Sequence, residues 1–160
     1  MDGRLVVLNR FVEALGENAD IENFEDRKRF QKAVYLGQVA GVDLGYRYGW
    51  YVKGPYSTDL TRDYYAMSEA VAGGATVPAN KQLKDEIRKK LTAVRPLFAV
   101  PNGVRLNKAD WLELLASWHY LRKVNRLEES KAREYMEKQK ANLVPFIPTA
   151  VKQLSAFGFL

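Results

Sequence analysis

Tyr46-Arg47-Tyr48-Gly49-Trp50-Tyr51-Val52-Lys53 is the one stretch of this chain in which side-chain character alternates with period two. Tyr46, Tyr48, Trp50 and Val52 share one face; Arg47, Tyr51 and Lys53 share the other, with Gly49 among them. That is strand spacing, with an apolar aromatic face and a polar one. The segment runs into Gly54-Pro55-Tyr56-Ser57, where Gly and Pro turn the chain. Ser57 or Thr58 can then cap a helix that has Asp59 in its first turn.

Away from this stretch the apolar residues recur at helical intervals. Leu5, Leu8, Phe11, Val12 and Leu15 form a first stripe, with Gly16 as its stop. A polar loop, Glu17 to Asn23, leads to Glu25 and Asp26, acids suited to a first helical turn. Phe30, Ala33, Val34 and Gly37 make the next face, ended by Gly41. Gly37 sits mid-helix, where it costs about 1 kcal/mol against Ala, so close packing is expected there. Leu60, Tyr64, Met67 and Val71 follow, closed by Gly73-Gly74. Leu83, Ile87, Leu91, Val94 and Phe98 come next, with Pro96 predicting a break before Phe98. Pro101 and Asn102-Gly103 read as a turn able to join a short strand pair within Val100–Leu106. Asn107 is placed to cap the strongest amphipathic face, Trp111, Leu114, Leu115, Trp118 and Leu121. A helix over Glu128–Leu143 carries a weaker stripe, and Pro145 and Pro148 separate it from a last helix, Thr149–Ala156. The prediction is a mainly α, compact single domain over residues 1–160, with six or seven helices and one small β element near residues 46–53.

Composition narrows the chemistry. With 47% hydrophobic and 28% charged residues, a chain of 160 residues has the makings of an ordinary globular core rather than a disordered tail. No apolar run approaches the length that crosses a bilayer, and the start carries no cleavage-site pattern, so neither membrane span nor signal peptide is expected. Absent cysteines remove disulfides, thiolate metal sites and cysteine nucleophiles, and one histidine, His119, removes two-histidine metal motifs. The expectation is a cytoplasmic domain without a metal or cofactor. Charge is uneven: residues 1–80 carry nine Lys/Arg against eleven Asp/Glu, residues 81–160 sixteen against eight. This split fits a polyanionic partner or solvated helix faces. Lys84, Arg88, Lys89, Arg122, Lys123 and Arg126 are the candidates for a nucleic-acid surface.

Six of nine tyrosines lie between residues 46 and 65. The alternation assigns Tyr46, Tyr48 and Trp50 to the core. Tyr51 and Tyr56, beside Arg47 and Lys53, are the exposed candidates, for a partner interface or for a hydrogen-bonded structural corner. Asp59 and Asp63, one helical turn apart, admit a paired-carboxylate site, but capping and a pair with Arg62 are the ordinary account of them. His119 has no carboxylate three or four residues away to orient it as a base.

Lys28-Arg29-Phe30-Gln31-Lys32-Ala33-Val34-Tyr35-Leu36, then Leu44-Gly45-Tyr46-Arg47-Tyr48 and Tyr51-Val52-Lys53-Gly54-Pro55-Tyr56-Ser57, resemble a family pattern. The pattern is that of the YwgA-like group of uncharacterised bacterial and archaeal proteins. There a Gln-Lys helix ending in Tyr-Leu leads to a Gly-Tyr-Arg-aromatic strand and a Gly-Pro-Tyr-Ser turn. Two acids at the start of the following helix are matched by Asp59 and Asp63. More distantly the segment is similar to the Panacea, or SocA-like antitoxin, domain, with Tyr56 where that domain has a small apolar residue. The resemblance covers about residues 24–68. It implies a helical domain that contacts a partner protein in a toxin–antitoxin or prophage setting, rather than a catalyst. It marks Gln31, Lys32, Tyr35, Arg47, Tyr48, Tyr51, Gly54, Pro55, Tyr56, Ser57, Asp59 and Asp63.

The expected function is therefore non-enzymatic binding of another protein, with Arg47, Tyr51, Lys53 and Tyr56 as the contact residues. Nucleic-acid binding through the basic second half is the alternative, and an enzyme built on Asp59, Asp63 and Lys32 the third.

Overall fold

A computed structural model describes residues 1–160, and two buried helices organise it. α2 (Phe24–Val39) and α5 (Lys108–His119) start alike: Asn23 and Asn107 each accept, at 2.8 Å, the N–H three residues on. Such a cap meets one of the four donors a helix start leaves open. Every residue of α2 from Phe30 to Gly37, and of α5 from Trp111 to His119, is buried. The pair forms the central contact of the fold. α5 runs on into one π-helical turn, Tyr120–Val124, closed where Arg122 donates to the Leu127 carbonyl at 2.7 Å.

The other elements cover this pair. α1 (Gly3–Ala14) packs on α2, with α3 (Thr58–Ala72) and α4 (Asp85–Phe98) beside it. On the other side α5 receives α7 (Ile147–Ala156) and a small hairpin; α6 (Glu129–Gln139) packs on a 3-10 segment, Ala141–Phe146. The hairpin pairs β1 (Gly49–Tyr51) with β2 (Gly54–Tyr56) antiparallel, Trp50 opposite Pro55. Seven α-helices and this two-stranded sheet make the fold mainly helical, as the periodicity predicts. No helix is long and apolar enough to cross a membrane.

Close packing at Gly37 is real: a Cβ there would lie 2.4 Å from Phe11 Cζ, so α1 and α2 touch through a missing side chain. Five local expectations change. The β element is shifted, because residues 46–48 have no partner strand and pairing begins only at Gly49. Val52, expected on the apolar face, stands at the hairpin tip, 79% exposed, since the turn interrupts the alternation. α4 passes through Pro96 to Phe98: the helix ends two residues later, so only the donor to the exposed Thr92 turn is lost, while Leu97 and Phe98 bury. Val100–Leu106 is a turn around Gly103 with no strand pair. The helix expected to reach Leu143 stops at Gln139, where Lys140 leaves helical geometry (φ −144°, ψ 48°) and turns its side chain inward.

Replacing Gly37 by Ala should destabilise the protein by about 1–3 kcal/mol in urea unfolding, overriding the helix-propensity gain of about 1 kcal/mol. Gly3→Ala, which meets nothing within 4 Å, should not.

Candidate functional site

Lys28, Gln31, Lys32 and Tyr35 recur at one helical face of α2, and all are buried. They face Asp110, Glu113, Ser117 and His119 of α5, so the central helix pair carries a polar seam through an apolar core. At one end the Lys28 ammonium meets Asp110 Oδ1 at 2.5 Å and Glu113 Oε1 at 3.1 Å. Glu113 Oε2 takes Lys140 at 2.8 Å. At the other end the Tyr35 hydroxyl and His119 Nδ1 share a 2.7 Å hydrogen bond. Burial opposes the charge on Lys28, but Asp110 and Glu113 outweigh it and hold its pKa above the ordinary lysine value. Burial lowers Lys140, with Glu113 offsetting only part. Lys32 is lowered furthest, to about 7: burial dominates, Glu113 opposes it, and the charges of Lys140 and Lys28 add to it.

The seam holds the hairpin. Lys32 donates to the Pro55 carbonyl at 2.7 Å, and Lys140 donates to the Val52 carbonyl. Lys140 also lies 5.5 Å above the Trp50 ring, a cation–π distance. Gln31 clamps the start of α3: its Oε1 accepts the Ser57 N–H, and its Nε2 donates to the Ser57 carbonyl and to Thr61 Oγ1, each at 2.9 Å. Ser57 Oγ in turn accepts the Leu60 N–H, the expected cap. Gly54 has φ +90°, and a Cβ there would sit 2.4 Å from the buried Ser117 Oγ, so only glycine brings β2 this close to α5. Ser117 Oγ itself has no hydrogen-bond partner.

Above the seam a pocket of about 150 Å³ opens between α2, the hairpin turn and α3. Arg27, Lys28, Lys32 and Lys53 line it, with Phe24, Tyr56, Tyr64 and Tyr65 as its aromatic walls. Tyr56 connects it to the hairpin tip, its ring edge-on to that of Tyr51 at 5.2 Å. Tyr51, Lys53 and Tyr56 are thus brought together as expected, with Tyr56 half-buried. Arg47 is not joined to them by any hydrogen bond; it is exposed on the coil before β1, its only ionic partner Asp43 at 3.7 Å.

The remaining candidates are dispersed. Asp63 is buried, accepting the Tyr46 hydroxyl at 2.7 Å and pairing with Arg4, while exposed Asp59 pairs with Arg62. The two carboxylates serve different partners, and neither is bonded to Lys32. Tyr48 donates to the Gln31 carbonyl and Trp50 to Gln139. Among the basic residues, Arg88 pairs with Asp85 and Arg122 closes the π turn, leaving Lys84, Lys89, Lys123 and Arg126 facing solvent. No group of side chains that could hold a metal ion is present. Lys28, Glu113, Ser117 and Lys140 belong to the site although the pattern of the sequence did not single them out. The available signal was Glu113, a carboxylate within the otherwise apolar run Trp111–Ala116, which demands buried cations. No family model, curated protein or solved structure matches the chain.

Removing the shared carboxylate strands the buried Lys140 ammonium and leaves Lys28 only Asp110 and the exposed Glu25, so Glu113→Ala should cost about 3–5 kcal/mol of stability. A triple variant, Lys28→Met, Glu113→Leu and Lys140→Met, should recover much of that loss in urea unfolding. A second test uses pH. Burial lowers His119 from 6.5 to about 4, with Lys123 adding to the effect. The unfolded chain therefore binds this proton first, and stability is lost as pH falls from about 6.5 to about 4, by about 3 kcal/mol. His119→Gln should flatten that part of the stability–pH curve relative to the unsubstituted protein.

Proposed function

We propose that this protein is a non-enzymatic regulatory domain of a prokaryotic or prophage system, which docks a partner protein on the hairpin corner. One observation carries the reading. The tip Tyr51-Val52-Lys53 holds a tyrosine 51% exposed and a valine 79% exposed on a turn whose carbonyls are fixed by two buried lysines. Apolar side chains held in water on a rigid mount gain nothing for the fold. They do lower the ordering cost of an interface, because the contact shape exists before the partner arrives. Tyr at such a place is a favoured anchor, able to contribute about 2 kcal/mol or more to binding. Lys53 and Arg27 beside it favour a partner face that is acidic as well as apolar. The resemblance of residues 24–68 to YwgA-like and antitoxin-type proteins supports the same reading.

A photo-crosslinking amino acid at position 51 tests it in cells of the native host. We expect one discrete protein adduct, none from the same group at position 89, and loss of the adduct's partner on Tyr51→Ala with an unchanged melting temperature. The affinity should fall by about tenfold or more, the scale of a hot-spot truncation. No adduct at position 51, or unfolding by Tyr51→Ala, overturns the reading.

A further inference from the structure

Three ammonium groups, Lys28, Lys32 and Lys140, are buried beneath the hairpin, and three carboxylates, Glu113, the half-buried Asp110 and the exposed Glu25, pair with two of them. Lys28 takes all three, and Lys140 takes the second oxygen of Glu113. Lys32, 1% exposed, pairs with no carboxylate; its one hydrogen bond goes to the Pro55 carbonyl. An ammonium carries three donors, so two remain unspent in a place where water is excluded. A buried cation without a counter-ion is far costlier than a paired one. The wall opens beside this residue, into the pocket that Lys53 and Arg27 also line, and no acidic side chain lines that pocket.

We propose that this pocket is a carboxylate-binding site that receives an Asp or Glu side chain of the partner docked on the hairpin, the incoming carboxylate answering Lys32. The proposal rests on the docking reading given above. Three observations choose the occupant. Lys32 has two unspent donors and no carboxylate of its own, a match for the two oxygens of one carboxylate. A space of about 150 Å³ between aromatic walls suits a planar group on a short stem. Tyr56 both lines the pocket and touches Tyr51, so the pocket is continuous with the tip and within reach of whatever covers it.

Charge on Lys32 decides the binding. The groups around it are Lys28 on its own helix, Glu113 on α5, Lys140 from the break between α6 and the 3-10 segment, Lys53 from the turn, Tyr56 on β2 and Tyr64 on α3. In the free protein its pKa lies at about 7. A bound carboxylate favours the ammonium and raises that value, so binding is strong below it and lost as pH rises through it.

The test uses the full chain labelled with ¹⁵N-lysine, the Lys32 resonance as readout, and N-acetyl-glutamate amide as the probe. N-acetyl-glutamine amide is the neutral control and inorganic phosphate the dianion control. We expect saturable binding of the glutamate probe in the range of about 1–10 mM, typical of a single small anchor. The Lys32 titration midpoint should rise by about one unit or more. Lys53→Met, at the exposed rim, should weaken binding several-fold, Lys32→Met should abolish it, and Lys89→Met should leave it unchanged. If Lys32→Met does not fold, the midpoint shift and Lys53→Met decide the matter. Equal binding of the glutamine control, tighter binding of phosphate, or indifference to Lys53→Met overturns the proposal. A crosslink at position 51 without probe binding overturns the pocket and leaves the docking reading standing. Probe binding without any crosslink at position 51 overturns the partner side chain as the source of the carboxylate.

Discussion

A single carboxylate, Glu113, sits at the centre of the most buried helix of this protein. A lone ion there would cost several kcal/mol of lost hydration, so the surrounding chain is arranged to answer it. Lys28 comes from the adjoining helix α2 and Lys140 from a break between α6 and the 3-10 segment. Both choices shape the backbone. α2 must bury a face rich in polar groups, and the helix ending at Gln139 must unwind to let the next side chain reach inward. The energetic balance of such a trio is near neutral against an apolar core, but its geometry is demanding. It fixes which helix faces which, and in what register.

The hairpin inherits this order. Strands of three residues supply too few ladder bonds to stand alone in water. Their place is set instead by lysine donors from below, by the Gly54 approach to Ser117, and by the Gln31 clamp on the following helix. A surface feature is thus held from the interior, and Lys140, which balances Glu113, also helps to hold the exposed tyrosine and valine in position.

Much of this fold was legible in the chain. Ser57 and Asn107 announce helix starts by chemistry that acts within three residues, and Gly37 announces a close approach because a helix interior otherwise disfavours it. The alternation of Tyr46, Arg47 and Tyr48 correctly separates inside from outside, even where no strand pairing exists. Two things stayed hidden for a common reason. Strand length and the inward turn of Lys140 depend on partners some ninety residues away, whereas propensity and period report local preference alone. Lysines are also solvated in nearly every setting, so Lys28 and Lys140 read as surface charge until Glu113 is seen between its leucines. Of the candidate contacts, Tyr51, Lys53 and Tyr56 could be found from turn chemistry. Arg47 parted from them because the turn falls after Tyr51.

The seam also sets an order in time. Lys28 meets its acids 82 and 85 residues further along, and Lys140 meets the Val52 carbonyl across 88. Contacts of such separation close late, because the intervening chain must first be made and then lose its freedom. During synthesis at about 5–20 residues per second, the hairpin leaves the ribosome on the order of ten seconds before its anchor exists. Through that interval Tyr51 and Val52 ride on an unsupported loop. The tip is among the earlier parts of the protein to be synthesised and among the last to acquire its shape, so a newborn chain presents no finished hairpin surface until Lys140 has folded home.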